Sequence, residues 1–132
     1  MSFTANYTAA ATINGESFND VSVSYTNDGL ESRDVALTAS QVDQECDLTM
    51  TVTDITFIYI VCANNATVEV NDGAGAGGTI TLLAGIPWLW YTDKADEAIA
   101  DVITANITSL HLTNSEASTT TLKIRILFDS SP

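Results

Sequence analysis

The chain has 132 residues, 45% of them hydrophobic, and carries 17 acidic against four basic side chains, a net charge of −13. That length suits one domain burying roughly two-thirds of its unfolded surface, and no Pro/Ser-rich linker divides it, so a single domain over 1–132 is expected. The charge speaks against nucleic acid and anionic lipid as partners, because affinity for phosphates rests on Lys and Arg.

Thr, Val and Ile supply 39 of the residues. β-Branched side chains lose rotamer freedom in a helix and pack well on a pleated sheet, so the chain should be mostly strand. The opening MSFTANYTAAATING has neither a basic n-region nor a continuous apolar run, so it does not read as a signal peptide. Residues 1–13, rich in Thr and Ala, read either as an extended N-terminal arm or as an ordinary first strand. No stretch reaches the ~20 apolar residues that a membrane-spanning helix needs.

Further strands follow by two-residue alternation. Val21, Val23 and Tyr25 alternate with serines, and Leu48, Met50 and Val52 with threonines. Between them Asn27-Asp28-Gly29 reads as a turn with left-handed backbone. From Ile55 to Ala63 both faces are apolar: Phe57, Tyr59 and Val61 on one, Ile58, Ile60 and Cys62 on the other. Such a strand is either covered on both sides within its own fold or meets another subunit. Val68 and Val70, then Ile80 and Leu82, mark two more strands, joined across Asn71-Asp72-Gly73 and a glycine-rich hairpin loop to Gly78. No Gly-Lys-Ser/Thr follows that loop, which excludes a Walker phosphate site.

Pro87-Trp88-Leu89-Trp90-Tyr91 is the densest aromatic segment. In a strand both tryptophans share a side, and a core or subunit-interface role is preferred over a sugar-stacking platform. Ala95, Ala98, Ile99, Val102 and Ile103 recur at helical spacing with Asp93 as a cap, which predicts one short helix. Leu110 and Leu112 flank His111 in a further strand. In the last one Leu122, Ile124, Ile126 and Phe128 oppose Lys123 and Arg125. Those two bases, half of the positive charge, are expected to pair with acids across neighbouring strands. The fold expected is all-β: an antiparallel β-sandwich, jelly-roll-like, with at most one short helix.

Chemical motifs are sparse. Cys46 and Cys62 read as small buried hydrophobes, with one disulfide between them the alternative. His111 stands alone, as a solvent-facing strand residue, and no Cys or His spacing suggests zinc. The acids Asp93, Asp96, Glu97 and Asp101, and the group Glu69, Asn71 and Asp72, miss the EF-hand spacing and read as solvated surface. Ser17, within Gly15-Glu16-Ser17-Phe18-Asn19, lacks the closing glycine of a nucleophile elbow. No catalytic residue, cofactor or metal is therefore expected, and the protein does not read as an enzyme.

From Ile55 onward the chain resembles small structural proteins of tailed bacteriophages. The resembling segments are ITFIYIVCANNATVEVNDG (55–73), TITLLAGIPWLWYTD (79–93) and the final hairpin ITSLHLTNSEASTTTLKIRIL (107–127), and the span from 55 to 127 that they mark is somewhat more than half of the chain. The resemblance implies a capsid decoration (cement) protein, a β-sandwich and often a homotrimer, assembled in the host cytoplasm. Its place would be the outer capsid face of the virion, bound to the major capsid protein or other virion proteins. A neck, tail-tube or head-fibre component and a carbohydrate-binding β-sandwich are the competing readings. The interface between copies is assigned to Phe57, Ile58, Ile60, Trp88 and Trp90. A charge at Ile58 or Ile60 should then split the oligomer and leave each subunit folded.

Overall fold

The computed structural model describes residues 2–71, 76–94 and 97–130, with the backbone alone for 18–21. It opens with a hairpin of β1 (Phe3–Ile13) and β2 (Glu16–Asn27), which form a two-stranded sheet of their own. Asn14 and Gly15 turn it, with φ of 51° and 80°. Two consecutive left-handed residues are what a two-residue hairpin turn demands, and Asn-Gly supplies them at little cost. Eight strands follow: β3 (Gly29–Leu37), β4 (Gln44–Cys46), β5 (Ile55–Cys62), β6 (Ala66–Val70), β7 (Thr79–Leu82), β8 (Trp88–Tyr91), β9 (Leu110–Asn114) and β10 (Thr120–Phe128).

These eight make two antiparallel four-stranded sheets, ordered β3-β10-β5-β8 and β4-β9-β6-β7. Counted from β3, the orders are first–eighth–third–sixth and second–seventh–fourth–fifth, the double Greek key of a jelly roll. The all-β sandwich expected from the sequence is therefore the fold. Its core lies between the sheets, where Ile58, Ile60, Ile124 and Ile126 from one meet Val68, Val70, Leu110 and Leu112 from the other. All eight are at most 3% exposed. The short helix is α1 (Ile99–Val102), a single turn. Asp93 does not cap it: Ala98 holds that position without a side-chain bond, and Asp93 accepts a hydrogen bond from Tyr25 instead. Ala95, Asp96 and the loop residues 72–75 lie outside the described residues, as does the side chain of Val21.

Two local expectations are corrected. The alternation over 48–53 does not make a strand. Met50 and Ile107 form one isolated bridge, with both N–H···O distances 2.9 Å, and Val52–Asp54 then closes a 3-10 turn. Leu48 and Met50 point inward because the segment plugs one end of the sandwich, which imposes a two-residue period without a partner strand. Asn27-Asp28-Gly29 likewise contains no left-handed residue. Gly29 is required for space: a Cβ there would stand 2.6 Å from the Phe128 ring. Asn71, by contrast, is left-handed as expected, at φ 76°.

The opposite end is tied by amides. Asn114 is 2% exposed. Its Nδ2 donates to the carbonyls of Thr38 (2.9 Å) and Ser118 (2.7 Å), and its Oδ1 accepts from the Glu116 N–H (3.1 Å) and from Asn64 Nδ2 (3.3 Å). Both donors and both acceptor sites of the amide are thus used, and they join the β3–β4, β5–β6 and β9–β10 loops. Removing a fully engaged buried amide leaves its partners unpaired. Asn114→Ala should therefore lower the unfolding free energy by about 1–3 kcal/mol, read from the midpoint of urea denaturation.

Candidate interaction surface

Strand β5 sits inside its sheet between β10 and β8, so its two faces have different neighbours. One face is the sandwich core. The other carries Phe57, Tyr59 and Val61 outward, in register with Leu127, Arg125 and Lys123 of β10, and Phe57 and Tyr59 also with Tyr91 and Leu89 of β8. Phe57 and Leu127 are nonetheless 6% and 2% exposed.

The base of the β1–β2 ribbon covers them. Tyr25 packs its ring on Phe57 and Tyr91, with centroids 6.2 and 6.0 Å apart, the latter pair stacked. Its hydroxyl donates to Asp93 Oδ2 at 3.1 Å, and Asn27 Nδ2 donates to Thr56 Oγ1 at 2.9 Å. Offset aromatic pairs of this kind contribute beyond the area they bury. Further along the ribbon Ala5, Tyr7, Ala9 and Val23 share the face of Tyr25 and are half-buried, while residues 10–17 are exposed. Of the two readings of the N-terminus the structure therefore shows a first strand, Phe3–Ile13, paired with β2 within a ribbon that extends beyond the body.

Electrostatics differ sharply between ribbon and body. The ribbon contains only Glu16 and Asp20 as charged residues, so all four bases and the other fifteen acids lie from Asp28 onward. Arg125 Nη1 bonds Asp34 Oδ1 at 2.8 Å, the cross-strand pairing expected for the basic stripe. That hydrogen bond holds the Asp34 carboxyl below its ordinary range. Desolvation, then the hydrogen bond to Asp93, pushes the Tyr25 phenol above 10.0.

Of the five residues assigned to an interface, Ile58 (1% exposed), Ile60 (2%) and Trp90 (3%) belong to the core of their own chain. Trp88 pairs with Ile60 on the same inward side and packs half-buried against that core. Trp90 Nε1 donates to the Glu97 carbonyl at 3.0 Å, so the two indoles do not form a surface platform. Phe57 faces outward beneath Tyr25. Burial inside the sandwich accounts for the apolar character of the inward residues without a second subunit. The apolar outward face of Phe57, Tyr59 and Val61 was legible in the sequence, whereas the ribbon was not read from it, although the Asn14-Gly15 dipeptide between two alternating runs signals a hairpin.

Elsewhere the chemistry is structural. Cys46 and Cys62 are free and buried, on different sheets, and burial raises the Cys46 thiol pKa despite the opposing effect of Arg33. His111 lies on the outer face of the second sheet in register with Glu45 and Glu69, half-buried where a solvent-facing residue was expected, and its Nε2 is 3.3 Å from Ser109 Oγ. Asn71 is engaged by Asn106 and Thr108, and Glu97 by Lys94 at 2.6 Å. Among the described residues no three His, Cys, Asp or Glu side chains converge to hold a metal ion. A depression of about 430 Å³ beside Leu37 and Thr120 is lined by threonines, Ala36 and Leu37. Among the described residues no helix is long and apolar enough to cross a membrane. The chain matches no family model, no curated protein and no solved structure.

Substitutions on the two sides of the first sheet should therefore behave differently. Ile58→Asp should abolish the cooperative thermal transition of the isolated chain, because a charge would be buried unpaired, whereas Tyr25→Ala should keep that transition and speed amide hydrogen exchange in β2. Folding raises the Tyr25 pKa, so the folded state gains from the protonated phenol at and below 10.0 and loses that gain as pH rises through the raised value. Ultraviolet titration should show Tyr25 ionising above 10.0, and Asp93→Asn should bring it back toward that value.

Proposed function

We propose that the protein is a non-enzymatic virion structural protein of a tailed bacteriophage, a capsid decoration protein that binds the outer head surface and stabilises the shell. The observation that carries this reading is the projecting β1–β2 ribbon on a jelly-roll body. A folded, strongly acidic body stays soluble at high local concentration, while a nearly uncharged ribbon with one apolar face supplies reach and a surface to bury. A two-stranded hairpin is marginal on its own in water, so a ribbon of this length is suited to being covered by a neighbour. The resemblance of residues 55–127 to phage structural proteins supplies the context.

In such a role each contact can be weak. A protein that binds only the assembled shell stabilises it by mass action, and the effect is repeated at every occupied position. Quantitative mass spectrometry of purified particles tests the assignment. A copy number near one per major shell protein is expected. A handful to a few dozen copies would move the protein to the neck, tail or fibres, and absence from particles would overturn the virion reading.

A further inference from the structure

The outer face of the first sheet is only partly covered by its own chain. The ribbon base shields the row Leu127–Phe57–Tyr91. Beyond it Tyr59, Leu89 and Val61 remain half-exposed along β5 and β8. At the end of β5 the β7–β8 loop, anchored by the Gly85 N–H to the Cys62 carbonyl at 2.8 Å, carries Leu83 and Ile86, 59% and 57% exposed. Apolar residues thus run outward along β5 and β8 from the ribbon base, with two more in the loop at the end of β5.

We propose that the free end of the ribbon docks on this strip of a second copy of the chain. The chemistry of the contact is already present within one copy, where the ribbon face lies on the same strand pair through Tyr25, Phe57 and Tyr91. In the second copy Tyr7, Ala9 and Val23 continue that contact onto Tyr59 and Leu89, and Ile13, 63% exposed at the tip, reaches Leu83 and Ile86. The lengths agree. From Ala5 to Ile13 the ribbon extends about 26 Å, and β5 from Phe57 to Cys62 about 17 Å, with the loop beyond, at ~3.3 Å per residue.

Charge selects the partner. Between two copies of a chain with net charge −13, most surfaces repel one another. The strip is bordered by Lys123 and by Arg125, the latter paired with Asp34, and the arriving ribbon carries only two charges, Glu16 and Asp20, both in its outer half. A ribbon whose two charges are both acidic therefore meets the basic border of an otherwise acidic body. Each copy offers one ribbon and one strip, a head-to-tail contact that closes into a ring when the rotation permits.

Sedimentation of the purified 132-residue chain tests this without any shell, so its outcome is independent of the copy number in particles. The wild type should be oligomeric. Tyr7→Asp on the ribbon and Leu89→Ser on the strip should each give monomers whose thermal transition is retained. Lys123→Glu should weaken association, and Glu16→Lys in the same chain should restore it. Ile13→Cys combined with Ile86→Cys should cross-link different copies under oxidation. A monomeric wild type, an oligomer that survives Tyr7→Asp, or an oligomer in which the two introduced thiols join only within one copy would overturn the proposal.

Discussion

Strand β5 must be kept from water on both faces, and most of the architecture can be understood as the ways in which this is done. An apolar strand at the centre of a sheet stabilises the fold only if each face finds a cover. The second sheet covers Ile58, Ile60 and Cys62. Nothing in an eight-stranded jelly roll covers the opposite face, and here the chain returns its own N-terminal ribbon over Phe57 and Leu127. Gly29 belongs to the same solution, since the close approach of the Phe128 ring lets the chain pass from the ribbon into β3 beside that cluster.

The ribbon inverts the usual relation between charge and exposure. Surface strands commonly carry charges that keep free edges from pairing, and β3 does so with Glu31, Arg33 and Asp34. The ribbon, with two free edges and far more exposure, is nearly without charge. The body carries fifteen of the seventeen acids, and the ribbon, with an apolar face, carries the other two. Cover for β5 and the reach of the ribbon are therefore one design: the face that seals Phe57 at the base continues through half-buried residues to an exposed end at 10–17.

Polar residues do the complementary work at the ends of the sandwich. Asn114 and Asn71 each bind loops from different strands through side-chain amides, at opposite ends of the body. A jelly roll joins its two sheets through loops that cross from one to the other, and their backbone groups need partners where no strand is adjacent. The glycine-free turn around Asn114 depends on such amide contacts for its shape.

The sequence by itself determined the strand content, the inward stripes of β6, β7, β9 and β10, the position of the short helix and the pairing of Arg125 with an acid, because period-two burial and local charge are properties of residues close along the chain. It also showed that residues 55–63 are apolar on both faces. Which face meets what was decided only by the tertiary structure. Ile58, Ile60 and Trp90 are core, Phe57 lies under Tyr25 from thirty-two positions earlier, and the alternating 48–53 segment closes an end of the sandwich with a single bridge. Periodicity reports that a face is buried and not what buries it, and that identity is set by strand order across the whole chain.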